Sequence, residues 1–318
     1  MKSNLADDRA ALAALTAPWP DLDRLIALIL AEWPEHASFL LRSFAPRSPG
    51  MMATSEHVAR AILALTAGHA AQVASDYRWL CARIQEEELE FARSGHYRYS
   101  SFEQTNAHVY SDAEFMGRYM HGLLFSHVLW FMHASSLHFF RQRLEGHVPA
   151  GGSVLEVGPG HGLLLYLALS DFRLSRAHGW DLSEVSLAQT RAALDVLGAG
   201  DKAHLAIQDM HAIDAGGETF DLVILSHILE HLDDPVAALL RIRGAIPRKG
   251  KLFVNVPLNA PMPDHVILLE TPEMAARLLT DGGFTIVEMA SHTTQAITLG
   301  QSLKRRTAVT CSIIAEVA

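Results

Sequence analysis

The chain has 318 residues, of which 49% are hydrophobic and 19% charged; this balance can bury a full core, excludes general disorder and fits two domains. The net charge is −9 and no basic run is longer than Lys304-Arg305-Arg306, which excludes a binder of phosphate backbones, so no nucleic-acid partner is expected. Cys81 and Cys311 are the only cysteines, far apart and without a CxxC, which excludes a disulfide framework and a zinc ribbon and fits a reducing, cytoplasmic compartment.

The opening stretch, MKSNLADDRAALAAL, lacks the charged-then-apolar pattern of a secretory leader. The longest apolar run, Leu163 to Leu169, is too short to cross a bilayer, so no membrane partner is expected. Leu22, Leu25, Ile26 and Ile29 recur at helical spacing, as do Val58, Ala61, Ile62 and Leu65. Thr54-Ser55-Glu56 sits where a cap belongs, and Gly68 marks a break before a third helix carrying Val73, Tyr77, Leu80 and Ile84. Residues 1–94 therefore read as a helical lid or dimerisation domain, which leaves a homodimer possible.

Between Gly95 and Ser111 the helical pattern lapses into aromatics, hydroxyls and amides, a linker able to line a pocket, with Tyr110 near its end. Asp112 then starts a long helical segment, apolar on nearly all sides and thus buried; residues 95–149 read as linker plus one long helix. His121, His127, His133 and His138 lie at spacings of six and five, which do not share a helix face, so they read as packed or surface histidines.

Val154, Leu155 and Val157 make a short buried strand that breaks into Gly158, Gly160 and Gly162, followed by the helix formers Leu163 to Leu169. A dinucleotide loop would run G-x-G-x-x-G and aim backbone N–H groups at a pyrophosphate. Here the third glycine comes one residue early, Pro159 has no N–H to donate, and Glu156 brings a carboxylate; a cationic, phosphate-free ligand suits this loop better than a diphosphate. The string Glu156-Val157-Gly158-Pro159-Gly160-His161-Gly162 resembles the first motif, E/D-x-G-x-G-x-G, of the class I S-adenosylmethionine-dependent methyltransferases.

That resemblance, which covers residues 150–318, implies an α/β fold: a doubly wound, Rossmann-like seven-stranded sheet, here with an N-terminal all-helical domain. The core would run from residue 150 to 318. It implies S-adenosyl-L-methionine as cofactor, held by Glu156, Gly158, Gly160 and Gly162. Asp181, beside Leu182 at the end of a second strand, would take the ribose hydroxyls. Asp209 would accept from the adenine amine, with Met210 packing on the ring. The run Tyr119 to Trp130 resembles the helix before the core in methyltransferases of natural-product assembly, which implies that Tyr119 and His121 approach cofactor or substrate.

Phe220 to Leu225 reads as the fourth strand and delivers Ser226 and His227 to the carboxyl edge, where ligands bind in doubly wound folds. His227-Ile228-Leu229-Glu230-His231 formally matches H-x-x-E-H, an inverted zinc-protease motif, but it follows a strand directly and Pro235 opens a new helix, so no metal is expected. It resembles instead the fourth motif of the methyltransferases, which implies that Glu230 and His231 are structural and that Ser226 and His227 face the ligand. A fifth strand, Leu252 to Val256, leads into a proline-stiffened loop carrying Asp264 and His265; a last helix opens at Thr271-Pro272, and two strands, Thr285 to Met289 and Ala308 to Ala315, close the chain.

Methyl transfer to a small-molecule acceptor, of secondary-metabolite type, is the expected activity. The candidate bases are His265, His227 and Asp264, with Tyr119 and Tyr110 as polar helpers; His265 ranks first because a loop histidine can titrate near neutrality. Two other readings share these residues: a methyltransferase-like cyclase that turns the cofactor into azetidine-2-carboxylate and methylthioadenosine, and a non-catalytic cofactor-binding protein.

Overall fold

The computed structural model describes residues 4–210, 218–294 and 297–318. Seven strands form one sheet in the order β3-β2-β1-β4-β5-β7-β6: β1 (Ser153–Val157), β2 (Arg176–Asp181), β3 (Ala203–Ile207), β4 (Leu222–Ser226), β5 (Lys251–Leu258), β6 (Phe284–Thr293) and β7 (Val309–Val317). The first five run parallel, while β7 runs antiparallel to both β5 and β6. The strand order reverses between β1 and β4, and this is where a doubly wound sheet opens a crevice at its carboxyl edge.

Alternate residues along the strands bury into two different layers. Val154, Ile224 and Phe253 face one core, and Leu155, Val223, Leu252 and Val254 face the other. The second core is closed by α11 (Pro235–Ile242) and α12 (Pro272–Asp281) through Leu239, Ile242, Ala275 and Leu279. The first core continues from the sheet through α9 (Leu163–Asp171) into the N-terminal helices without a gap. One buried cluster includes Leu12, Leu25, Phe44, Ile62 and Tyr77 together with Leu165, Phe253 and Ile314.

Those helices are α1 (Leu5–Thr16), α2 (Pro20–Glu32), α3 (Ala37–Phe44), α4 (Pro49–Leu65), α5 (Ala70–Ser94), α6 (Phe102–Thr105), α7 (Ala113–Leu129) and α8 (Phe131–Leu144). The cap of α4 is Ser48 rather than Thr54 or Ser55, which lie inside the helix. Glu56 reaches across instead and accepts from the Asp21 and Leu22 N–H groups, closing the first turn of α2. The predicted linker holds the short α6 and one π-turn, Asn106–Tyr110.

The single long helix expected after Asp112 is two helices. Trp130 adopts φ −93°, ψ 131° and breaks the segment, and the carbonyls stranded at the end of α7 find partners on α3 and just beyond it. Ser43 Oγ donates to the Leu129 carbonyl at 2.7 Å, and the buried Arg47 guanidinium donates to the Val128 carbonyl at 2.8 Å. The break lets α8 lie across the sheet, where Phe140 meets Phe253 edge to face at 4.9 Å and Ser136 donates to Asn255 on β5. The chain also forms α10 (Glu184–Val196) and a further helix, α13 (Leu299–Arg305), which no apolar period announces. A reciprocal capping box of Thr298 and Gln301 starts α13.

Candidate active site

Gly158, Gly160 and Gly162 all have positive φ, at 64°, 50° and 70°, a region that side chains other than glycine rarely adopt. The loop is also crowded. A Cβ on Gly158 would lie 2.4 Å from Ile228 Cδ1 and one on Gly160 2.9 Å from Met120 Cε, so the turn after β4 and helix α7 bracket the loop from two sides. Gly158 N–H donates to the Trp180 carbonyl and Thr190 Oγ1 to the Gly160 carbonyl, which pins the loop against β2 and α10.

Glu156 lies within β1 and is 4% exposed, with its Oε2 lacking a hydrogen-bond partner among the described residues. Burial pushes its carboxyl well above the usual range, against a hydrogen bond from the Leu165 backbone. A buried, unpartnered acceptor beside a glycine cradle fits a ligand that brings an ammonium donor and a sulfonium charge, as S-adenosyl-L-methionine does.

At the end of β2, Asp181 Oδ1 accepts from the Ser183 N–H at 2.9 Å and Oδ2 from Ser186 Oγ at 2.7 Å, so the first turn of α10 fixes the carboxylate. Each oxygen keeps a lone pair. The Gln208 N–H donates to the Asp181 carbonyl at 3.0 Å and brings the exposed Asp209 to the same edge. Leu182 is exposed, whereas Met210 is 5% exposed and packs in the second core.

At the end of β4, Ser226 Oγ accepts from Asn255 Nδ2 at 2.9 Å. His227 adopts φ +57°, a left-handed conformation stabilised by its N–H bond to the Asn255 carbonyl. The turn aims its Nδ1 at Glu230 Oε1, 3.0 Å away, while the imidazole stays half-buried. Glu230 is 1% exposed; burial works against its charge, yet the hydrogen bond from His227 and the nearby His227, His231 and His265 hold its carboxyl down to about 2. His231 donates from Nδ1 to the Asp264 carbonyl at 2.9 Å.

The loop after β5 meets the helical layer at Asp264. Tyr119 Oη on α7 donates to Asp264 Oδ1 at 2.7 Å, and Tyr110 Oη donates to Oδ2 at 3.3 Å. Burial, reinforced by the Asp264 charge, pushes both phenols well above their ordinary value, so they act as donors. His265 does not titrate near neutrality as expected. It is 4% exposed, its Nδ1 is engaged with the Ala260 carbonyl at 2.8 Å, and burial lowers its pKa to about 4. His121 points elsewhere: its Nδ1 meets Asp76 on α5 at 2.8 Å, the same carboxylate that takes Arg118.

The five candidate catalytic residues thus meet in one polar network, with Glu230 and His231 as members that the sequence reading set aside as structural. Tyr97 also enters it: its hydroxyl accepts from the Ala260 N–H and its ring edge meets His265. A second row of histidines runs beneath the glycine loop. His161 and His127 face each other at 2.9 Å, and His133 lies between His127 and His227. Burial lowers His161 to about 4 and His127 and His133 well below the usual range, so this row is neutral.

A family profile described as a methyltransferase domain matches residues 155–252. A ubiquinone biosynthesis O-methyltransferase of Xanthomonas axonopodis pv. citri (strain 306) is 34% identical over 152 residues, covering 46% of this chain and 58% of that protein. A second protein of that name, from Methylobacterium sp. (strain 4-46), is 26% identical over 204 residues, covering 58% of this chain and 80% of its own length. The chain therefore spans little more than half of the Xanthomonas relative. Among solved structures, the mitomycin 7-O-methyltransferase MmcR shares the fold with a TM-score of 0.50 at 17% identity, over 80% of this chain and 72% of that one.

Proposed function

We propose, from the premise that residues 155–252 form a methyltransferase domain of the class I S-adenosylmethionine-dependent superfamily, that this chain methylates an oxygen atom of a small-molecule acceptor. The observation that carries the reading is the meeting of the glycine loop, Asp181 and His227 at the carboxyl edge around the β1/β4 switch, with Met120 of the helical layer against Gly160. Two relatives are named O-methyltransferases and a third, from Cereibacter sphaeroides, an N-methyltransferase, so the preference for oxygen rests on His227, a base placed to take the proton of an acceptor hydroxyl.

When bound, S-adenosyl-L-methionine supplies an electrophilic methyl group on its sulfonium. Glu156, Gly158, Gly160, Gly162, Asp181 and Asp209 would hold it. An acceptor hydroxyl must lose its proton, and His227 is the base placed for this: its Nδ1 is engaged by Glu230 and its imidazole is half-buried, which leaves Nε2 to take the proton. The Glu230 carboxylate fixes the ring tautomer and stabilises the imidazolium that results. Tyr119 and Tyr110, clamped on Asp264, hold the helical layer over the edge and keep water out.

The test is product analysis by mass spectrometry, with cofactor alone and with a panel of phenols and enols. S-adenosylhomocysteine formed only when an acceptor is present is the expected result, and His227→Gln should lower turnover at least about a hundredfold with cofactor affinity little changed. Methylthioadenosine released without an acceptor would replace this reading with intramolecular cyclisation to azetidine-2-carboxylate. Tight cofactor binding with no turnover on any acceptor would favour a binding protein.

A further inference from the structure

The H-x-x-E-H string does not form the helical zinc motif that its spacing suggests, because His227 sits in a left-handed turn and Leu229–His231 is a single 3-10 turn. That turn sends Glu230 and His231 toward the loop after β5, where His265 arrives from a distant part of the chain. One carboxylate oxygen of Glu230 and one ring nitrogen each of His231 and His265 lie within 4.8 Å of one another.

Each of the three side chains is held from behind. His265 Nδ1 donates to the Ala260 carbonyl, which leaves the lone pair of that neutral ring on Nε2, and His231 Nδ1 donates to the Asp264 carbonyl. Burial disfavours the His231 cation, but the Asp264 and Glu230 charges and its backbone hydrogen bonds raise its pKa, so an ion taken there displaces a proton. Glu230 Oε1 is taken by His227, and Glu230 Oε2 is buried with no partner among the described residues. His265 Nε2 stands 3.9 Å from Glu230 Oε1, too far for a hydrogen bond. Two donors bound at about 2.1 Å around a tetrahedral ion stand roughly 3.4 Å apart, so Glu230 and His265 would close by about 0.5 Å, and no pair by more than about 1.4 Å, to share one centre.

We propose that Glu230, His231 and His265 form a binding site for a single borderline divalent cation, zinc before all others. Two imidazoles and one carboxylate, each carrying an outer hydrogen bond, are the donor set of such an ion; magnesium and calcium favour oxygen ligands alone. The His231 side chain is 16% exposed, which leaves one side of the site open for an oxygen ligand. Three protein ligands with one open position is the arrangement of a catalytic rather than a structural zinc. Bound there, the ion would lower the pKa of a coordinated hydroxyl or water next to His227. The site stands whether or not the acceptor assignment holds, because its test reads metal content.

The full-length chain, stripped with chelator and dialysed, is mixed with one equivalent of zinc, desalted and assayed for metal by mass spectrometry, and its affinity is measured by competition with a chromophoric chelator. The expected result is about one zinc per chain, with affinity reduced at least about tenfold in Glu230→Gln and in His265→Asn and unchanged in His96→Gln, an exposed control. If the buried variants do not fold, His231→Gln, altered at the half-buried ligand, decides by the same criterion. No retained zinc in the native chain overturns the proposal. So does zinc held equally by the native chain and the variants, which would mark adventitious binding among the chain's 18 histidines.

Discussion

Tyr119 on α7 and Asp264 in the loop after β5, 145 positions apart in sequence, are joined by a 2.7 Å hydrogen bond in the buried interior. This bond fastens the helical layer to the carboxyl edge of the sheet and also orders the segment that carries His265. Tyr119→Phe keeps the ring and removes the donor, which leaves one oxygen of a buried carboxylate short of a partner. It should cost about 1–3 kcal/mol of stability and lower turnover more than cofactor affinity. Urea unfolding and steady-state kinetics check both; equal stability in the two proteins would show that the bond does not hold the layer.

The glycine loop, the parallel strands and the two chain-closing strands were legible because their signals are local: glycine spacing, short apolar runs, caps and prolines. That the strands form one doubly wound, seven-stranded sheet came only with the family resemblance, and their order only with the structure. The break at Trp130 was not legible, since neither proline nor glycine marks it and its stranded carbonyls are satisfied from positions 81 and 86 residues away. In the site, the residue types at the strand ends were readable, but their states were not. His265 looked like a base by its loop position, and only its burial and its bond to Ala260 make it a neutral, fixed ring. Glu230 was read as structural on the motif resemblance, and of the histidines around it only His265 arrives from a distant element, the loop after β5.

Asp181→Ala should weaken both S-adenosylmethionine and S-adenosylhomocysteine by about 1–3 kcal/mol, the loss of a charged acceptor for the ribose hydroxyls. The same carboxylate also closes the first turn of α10 through Ser183 and Ser186, so Asp181→Asn, which keeps one acceptor, separates the two roles. Calorimetry with each ligand measures the effect, and unchanged affinity in the alanine variant would remove Asp181 from the site.

Gly158→Ala puts a Cβ into a left-handed backbone at φ 64° and 2.4 Å from Ile228 Cδ1. Gly198 has a similar φ of 70° with nothing within 4 Å of the added Cβ, so Gly198→Ala carries only the backbone cost, about 1–2 kcal/mol. The first variant should lose more stability than the second and lose cofactor binding as well. Thermal melts with and without S-adenosylhomocysteine compare them; a ligand-induced rise in melting temperature retained by Gly158→Ala would count against the loop as the cofactor cradle.

Acid should weaken the fold well above the carboxylate range. Burial lowers His36, His161 and His292 from 6.5 to about 4 in the folded chain, so between those values the unfolded chain binds more protons. Their contribution to stability is complete above pH 6.5 and is lost as pH falls toward 4, by about 1.4 kcal/mol per pH unit for each ring. Urea unfolding at pH 7.5, 6 and 5 should show this slope. His292→Gln, which replaces a ring whose Nε2 has no partner among the described residues, should reduce the slope by up to one proton.

Residues 1–94 share their core with the sheet rather than sitting on it. Leu25, Phe44, Ile62 and Tyr77 belong to the same buried cluster as Leu165 and Phe253, and Arg47 and Ser43 supply the partners of the α7 carbonyls at the Trp130 break. Deleting the segment would strip the outer face of α7 and α8, leave buried backbone acceptors unpaired and loosen Tyr119 from Asp264. The full chain should therefore unfold in one cooperative transition by heat, whereas a chain starting at residue 95 should bind a hydrophobic dye and lack that transition. A truncated chain that melts cooperatively, and binds cofactor as the full chain does, would make the helical layer a detachable lid; loss of turnover alone would then assign it to excluding water from the edge.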